Sequence, residues 1–224
     1  MSKSKGNVID PMEVIEGCSL DLLIEKIQNS TLPPKEKEKG IKGKKDNFPS
    51  GIPECGADSL RFGILNMAHL GKDINLDLTM LTVFRQFCQK IWQSYKFCMD
   101  NMKDYKYNQS DIKPELLTLV DKWVLDKLNN CVKEVNESFD QFNYSKGTTT
   151  FKNFWMETFC AIYIENSKLA LADSVPQEQQ NCTKAILFKV IETGMRLLHP
   201  MMPFISEELY RKLPDFEGKV NTIS

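Results

Sequence analysis

The spacing of apolar residues after Asp77 narrows the possible folds more than any other feature. Leu81, Phe84, Cys88, Ile91, Tyr95 and Cys98 recur at alternating steps of three and four. That spacing lines one face of an α-helix and would scatter over both faces of a strand. It predicts a helix of about 20 residues. After the break "YNQSDIKPE", Leu117, Val120, Val124, Leu128, Cys131, Val135 and Phe139 predict a second. A third is expected from Tyr144 to Leu171, with Phe151, Phe154, Trp155, Phe159 and Ile162 on its apolar side, and a fourth from Glu178 to Leu198. Pro203 suits the first turn of a short fifth helix and Pro214 its end. Short connections between long amphipathic helices give a mainly α fold, an antiparallel helix bundle.

The stretch before Asp77 has another character. "SLDLLIEKIQ" is a short helical segment with Ser19 as N-cap. "LPPKEKEKGIKGKK" carries prolines, glycines and like charges without apolar periodicity, so a solvated loop is expected. "FPSGIPECG" holds too many breakers for a regular element, and "ADSLRFGILNMAHLG" has helical spacing, with Leu60, Ile64 and Met67 on one face and Gly71 as the stop. Two units are expected, residues 1–78 and 79–224.

Composition excludes several classes. An apolar share of 42% with 26% charged residues is that of a soluble globular protein, and no apolar run approaches the roughly 18 residues of a membrane span. Residues 1–20 lack the apolar segment of a secretory signal, and Asp10, Glu13 and Glu16 argue against an acid-poor transit peptide. A cytoplasmic location is expected. The seven cysteines include no C-x-x-C and fall largely on apolar helical positions, so free thiols are expected rather than disulfides or a metal site. His69 and His199 have no ligand-type neighbours at metal spacing and read as structural. A net charge of −1 excludes the strong basic excess of a non-specific nucleic-acid binder. Between Thr79 and Lys106, however, Arg85, Lys90, Lys96, Lys103 and Lys106 face only Asp100 and Asp104. One basic segment sits in a near-neutral chain.

The chain opens "MSKSKGNVIDP". Alone, "MSKSK" reads equally as a solvated tail. With its continuation it resembles the signature loop of the class I aminoacyl-tRNA synthetases, Lys-Met-Ser-Lys-Ser, with Met1, Ser2, Lys3 and Ser4 matching the last four positions. "GIPECGADSLRF", "GKDINLD", "FCQKIW" and "LLHPMMPFISEELYRKLP" are similar to the valine-specific branch of that class, in order, up to about Pro214. The isoleucine-specific branch shares the signature loop and the closing helix and is the nearest alternative. The lysine-rich insertion between Gly17 and Phe48 is similar to one in cytosolic eukaryotic members.

The resemblance implies the carboxy-terminal part of an ATP-dependent valine–tRNA ligase, opening inside the signature loop. Lys3 would then be the catalytic cation, with Ser2, Lys3 and Ser4 binding ATP phosphates and Mg2+ expected with ATP in the parent enzyme. A mobile ammonium arriving with the transition state stabilises charge developing on the phosphates, and Gly6 lets backbone amides approach closely. Lys5 and Asn7 read as turn structure. With His69 and His199 as its only histidines the chain holds no His-Ile-Gly-His motif, and it has no valine pocket. Valine would be bound by a part absent here, and the chain alone is not expected to aminoacylate.

The helical half would then bind valine-accepting tRNA. Unstacked RNA bases stack on aromatics while Lys and Arg hold the backbone, which makes Arg85, Lys90, Trp92, Lys96 and Phe97 the candidates. Phe97 lies off the main stripe and matches a position thought to stack an anticodon base in a bacterial relative. Core packing is the competing reading, with equal weight for Phe97 and more for Trp92. Asp58 and Arg61 read as a structural i, i+3 pair. Lys72, Asp73, Asn75 and Asp77 form a polar turn that is either hinge or tRNA contact. A free-standing tRNA-binding module without catalysis, or a helical interaction protein with a vestigial loop, are the alternatives.

Overall fold

The computed structural model describes residues 9–69, 71, 78–103 and 105–223. Among these the chain is helical, with no strand beyond an isolated antiparallel bridge between Cys18 and Ile52. Helix α1 (Pro11–Ile15) opens on a capping box in which the Asp10 carboxylate accepts from the Met12 N–H at 2.9 Å and the Glu13 side chain accepts from the Asp10 N–H. Helix α2 (Leu20–Gln28) has Ser19 as its N-cap, as its sequence predicts.

The lysine-rich stretch is not a loop. It forms helix α3 (Pro34–Asn47), which packs against α2. Pro34 occupies the first turn, where its missing N–H costs nothing, and the following Glu and Lys residues are good helix formers. Lys39 pairs with Glu36 at 3.1 Å, and Lys37 Nζ donates to the Gln28 carbonyl at the end of α2 at 2.7 Å. Lys44 is only 6% exposed and its ammonium sits 5.4 Å from the centre of the Phe48 ring. Burial pushes the Lys44 pKa down, and the nearby Glu13 carboxylate opposes that shift. Apolar periodicity fails to report α3 because the side chain that docks it is a lysine stem.

Helix α4 (Ala57–Met67) buries Ser59, Leu60, Phe62 and Gly63, whereas Ile64 is 39% exposed. The expected Leu60/Ile64/Met67 face is therefore turned. Gly63 decides it: a Cβ there would come within 2.3 Å of Leu81 Cδ2, so the bare backbone admits Leu81 and Phe84. Asp58 and Arg61 do not pair with each other. The Asp58 carboxylate accepts from the N–H groups of Phe204 at 3.2 Å and Ile205 at 2.7 Å, while Arg61 Nη2 donates to the Pro200 carbonyl at 3.3 Å. They fasten α4 to a turn some 140 residues away in sequence. Burial pushes the Asp58 pKa up, and the two backbone donors oppose it.

The bundle follows as α5 (Leu78–Asp100), α6 (Leu119–Asp140), α7 (Tyr144–Asn153), α8 (Ile164–Ala170), α9 (Gln177–Leu198) and α10 (Pro203–Arg211). The α5 stripe is buried at Leu81, Phe84, Ile91, Tyr95 and Cys98, and the α6 stripe at Val124, Leu128, Cys131 and Val135. Thr118 and Asp121 form a capping box at the start of α6, and the buried Asp121 also accepts from the Tyr163 hydroxyl at 2.8 Å. Pro203 opens α10, as expected, with Asp58 supplying the cap.

Between α7 and α8 the helix continues as π turns over Phe154–Tyr163. This corrects Ile162, which is 47% exposed, while Tyr163 is buried in its place. In α geometry, residues four apart swing about 40° around the axis at each step. The wider i→i+5 turns offset that drift and keep Phe151, Trp155, Phe159 and Tyr163 in one buried row, with successive ring centres 5.6, 5.2 and 6.4 Å apart. Trp155 also lies on α9 at Gly194, where a Cβ would meet its Cζ3 at 2.3 Å, and it donates to Ser94 Oγ of α5 at 3.1 Å.

Gly194→Ala should lower unfolding stability by about 1–3 kcal/mol, the usual cost of overpacking a closed core; an unchanged denaturation midpoint would contradict this packing. Asp58→Ala should cost about 1 kcal/mol, the scale of a lost helix cap. Chemical denaturation checks it, and no loss would mean that the α4–α10 fastening contributes nothing to stability.

Candidate nucleic-acid interface

Ser2, Lys3 and Ser4, with Lys5, Gly6 and Asn7, lie outside the described residues, as do Lys72, Asp73, Asn75 and Asp77. The described chain begins next to them at the capping box of α1, and α1 packs on α4.

All five candidates of the helical half lie on α5, and the structure divides them. Arg85 is committed within the fold: its guanidinium donates to the Glu54 carbonyl and lies 3.4 Å from the Glu54 carboxylate, tying α5 to the segment before α4. Lys90 and Lys96 are exposed and make no ion pair among the described residues. Trp92 is 41% exposed, so its core reading fails, and the ammonium of Lys212, the C-cap of α10, sits 5.0 Å from its ring centre. Phe97 is half-buried against the core, and Lys168 of α8 lies 5.9 Å over its ring. The core reading of Phe97 thus holds in part, for the portion of the ring packed against the core.

At about 100° per residue, Lys90 and Phe97 fall within about 20° of each other on the helix, and Trp92 and Lys96 within about 40°. The two pairs lie on well-separated sides of α5, Phe97 about 140° from Trp92. One side meets α8 and the other α10, each adding a lysine over the aromatic ring. Lys168 and Lys212 have no sequence signal that marks them, because only the tertiary fold brings them to α5.

His69 is exposed, and His199 Nδ1 lies 2.9 Å from Ser206 Oγ. All seven cysteines are free thiols. Burial pushes the Cys88 thiol up to about 11 and the Cys131 thiol up to about 12, which keeps both protonated at neutral pH. Among the described residues no three His, Cys, Asp or Glu side chains come together as a metal site.

Residues 1–77 match the family model described as tRNA synthetases class I (I, L, M and V), and residues 121–223 match that of the anticodon-binding domain of tRNA ligase. The chain is 41% identical over 215 residues to the valine–tRNA ligase of Mus musculus, covering 96% of this chain and 17% of that protein. It is 37% identical over 225 residues to the Schizosaccharomyces pombe enzyme, covering 100% of this chain and 23% of the other. The chain belongs to the valine–tRNA ligase family. A relative from Saccharomyces cerevisiae, named valine–tRNA ligase, mitochondrial, is 40% identical over 96% of this chain and 19% of its own length. The chain thus spans about a fifth of the length of the curated relatives it matches. Among solved structures, the Agrobacterium radiobacter K84 LeuRS in its ternary complex with tRNA and LeuAMS matches with a TM-score of 0.57 at 17% identity. That match covers 96% of this chain and 20% of the other, and it shows a shared fold. Helix α5 lies wholly between the two family-model matches.

Arg85→Ala should lower stability by about 1 kcal/mol through loss of the Glu54 tie, discounted for exposure. Thermal melting tests this, and an unchanged melting temperature would return Arg85 to the pool of free cations.

Proposed function

We propose that this chain supplies the ATP-phosphate loop and the tRNA anticodon-binding bundle of a valine–tRNA ligase, with residues 1–78 ending the catalytic part and residues 79–224 forming the anticodon-binding part. The observation that carries the reading is identity near 40% to valine–tRNA ligases along almost the whole chain, rather than at one motif.

In this reading the Lys3 ammonium stabilises charge developing on the ATP phosphates as valine is activated, and the Ser2 and Ser4 hydroxyls hydrogen-bond those oxygens. Mg2+ bound with ATP would supply further neutralisation of the phosphate charge. Selection of valine falls to sequence outside these 224 residues. Valine-accepting tRNA lies along the side of α5 that carries Lys90 and Phe97, with Lys168 added from α8. Phe97 stacks on an anticodon base and the lysines hold phosphates, a division in which only the base contact carries sequence information. Trp92, Lys96 and Lys212 form a second contact on the α10 side, and Arg85 acts by fixing the orientation of α5. Free thiols suit a reducing compartment, and the cytoplasm is our assignment. No helix among the described residues is long and apolar enough to cross a membrane.

Filter binding with valine-accepting tRNA tests the reading. Phe97→Ala should weaken binding by about 1–3 kcal/mol, the scale of one base on one aromatic, in a chain that still melts cooperatively. Lys90→Ala should weaken matched and swapped-anticodon tRNAs alike and lower the salt slope by about one. Anticodon discrimination that survives intact in folded Phe97→Ala would remove Phe97 as the base reader. In the full-length ligase, Lys3→Ala should raise the barrier to valine activation by about 3 kcal/mol, read by exchange between ATP and pyrophosphate; an unchanged exchange rate would exclude Lys3 from the site.

A further inference from the structure

The turn between α6 and α7 holds a residue that local structure does not favour. Helix α6 ends at Asp140 with Gln141 as its C-cap, and the chain then closes a Schellman motif. The Asn143 N–H donates to the Ser138 carbonyl at 2.8 Å, and the Phe142 N–H donates to the Phe139 carbonyl at 2.9 Å. This motif requires left-handed backbone at the residue after the C-cap, a position that glycine fills without steric cost. Here it is Phe142, at φ 57°, the only non-glycine residue with positive φ among the described residues. Bulky side chains are outliers in that region.

Burial does not compensate, because the Phe142 ring is 65% exposed. The ring is nonetheless held in place. Phe142 meets Tyr144 edge-on at 6.4 Å and 87°, and Tyr144 meets Phe139 edge-on at 5.3 Å and 80°. Phe139 in turn packs on Gly147, where a Cβ would come within 2.7 Å of its ring. The next residue, Asn143, caps α7 by accepting from the Lys146 N–H. Lys146 itself is exposed and makes no ion pair among the described residues. The turn therefore presents a braced aromatic ring to solvent, with an uncommitted cation four residues on.

We propose that Phe142 is a stacking site for an unstacked base of the bound tRNA, with Lys146 on an adjoining phosphate. Strained backbone of this kind clusters at ligand-binding and switch sites, and a planar exposed ring beside a cation matches the chemistry of single-stranded nucleic acid. The family-model match to the anticodon-binding domain covers this turn. The proposal rests on the tRNA-binding reading above and adds a contact remote in sequence from α5.

The test uses the full chain, valine-accepting tRNA and the variants Phe142→Gly, Phe142→Tyr and Lys146→Ala, measured by filter binding and thermal melting. Phe142→Gly should melt at or above the wild-type temperature, since glycine adopts this backbone freely, while its Kd rises at least about fivefold, the low end for one lost stack. Phe142→Tyr, which keeps the ring, should bind within about twofold of wild type, and Lys146→Ala should bind more weakly with a flatter salt dependence. Wild-type affinity in Phe142→Gly would overturn the proposal, and so would a marked fall in its melting temperature, which would make the ring structural. If Lys90→Ala weakens binding and Phe142→Gly does not, the tRNA-binding reading stands and this site falls. If the wild-type chain fails to bind tRNA, both fall.

Discussion

The packing of Trp155 holds three elements of the bundle in register. Its indole is fully buried, lies on the bare backbone of Gly194 in α9, donates to Ser94 in α5, and sits between Phe151 and Phe159 of its own helix. Ser94 is anchored in turn, donating to the Ile91 carbonyl. A buried indole whose N–H has a partner satisfies both its apolar body and its polar edge. The π turns are the local accommodation that this packing needs, because regular α geometry would carry Phe159 and Tyr163 progressively off the row.

That anchoring decides what α5 can display. One side of the helix is taken by the core stripe and Ser94, and Arg85 is drawn into a tie with Glu54. The cations and rings that remain fall on two sides, one shared with α8 and the other with α10. The same hydrophobic cluster also runs through the first third of the chain, joining Val14, Leu23, Ile52 and Phe62 to Leu81 and Phe84. Asp58 and Arg61 add polar fastenings from α4 to the α9–α10 turn. The segment before α5 and the bundle thus share one core.

Apolar periodicity made α5 and α6 legible, since an amphipathic stripe records burial directly, and Pro203 marked the start of α10. It failed where something other than an apolar side chain sets the contact. Helix α3 is docked by the Lys44 stem, the α4 face is turned by the absence of a side chain at Gly63, and Ile162 is displaced by a change of helical pitch. The i, i+3 spacing of Asp58 and Arg61 suggested a mutual pair, but their partners lie about 140 residues on, where spacing carries no information. The α5 candidates were legible as a basic, aromatic segment. Their division into two sides follows from helix geometry, and the lysines that complete each side become visible only in the fold.

Native-state hydrogen exchange tests most directly the claim that α5, the π turns and α9 form one unit locked by Trp155. Amides around Ile91–Tyr95, Trp155–Phe159 and Val190–Met195 should exchange with a common opening free energy, equal to that of global unfolding, and converge on one denaturant dependence. If α5 opens at a lower free energy while the π turns and α9 stay closed, Trp155 does not hold the three together and the account of how α5 is positioned is wrong.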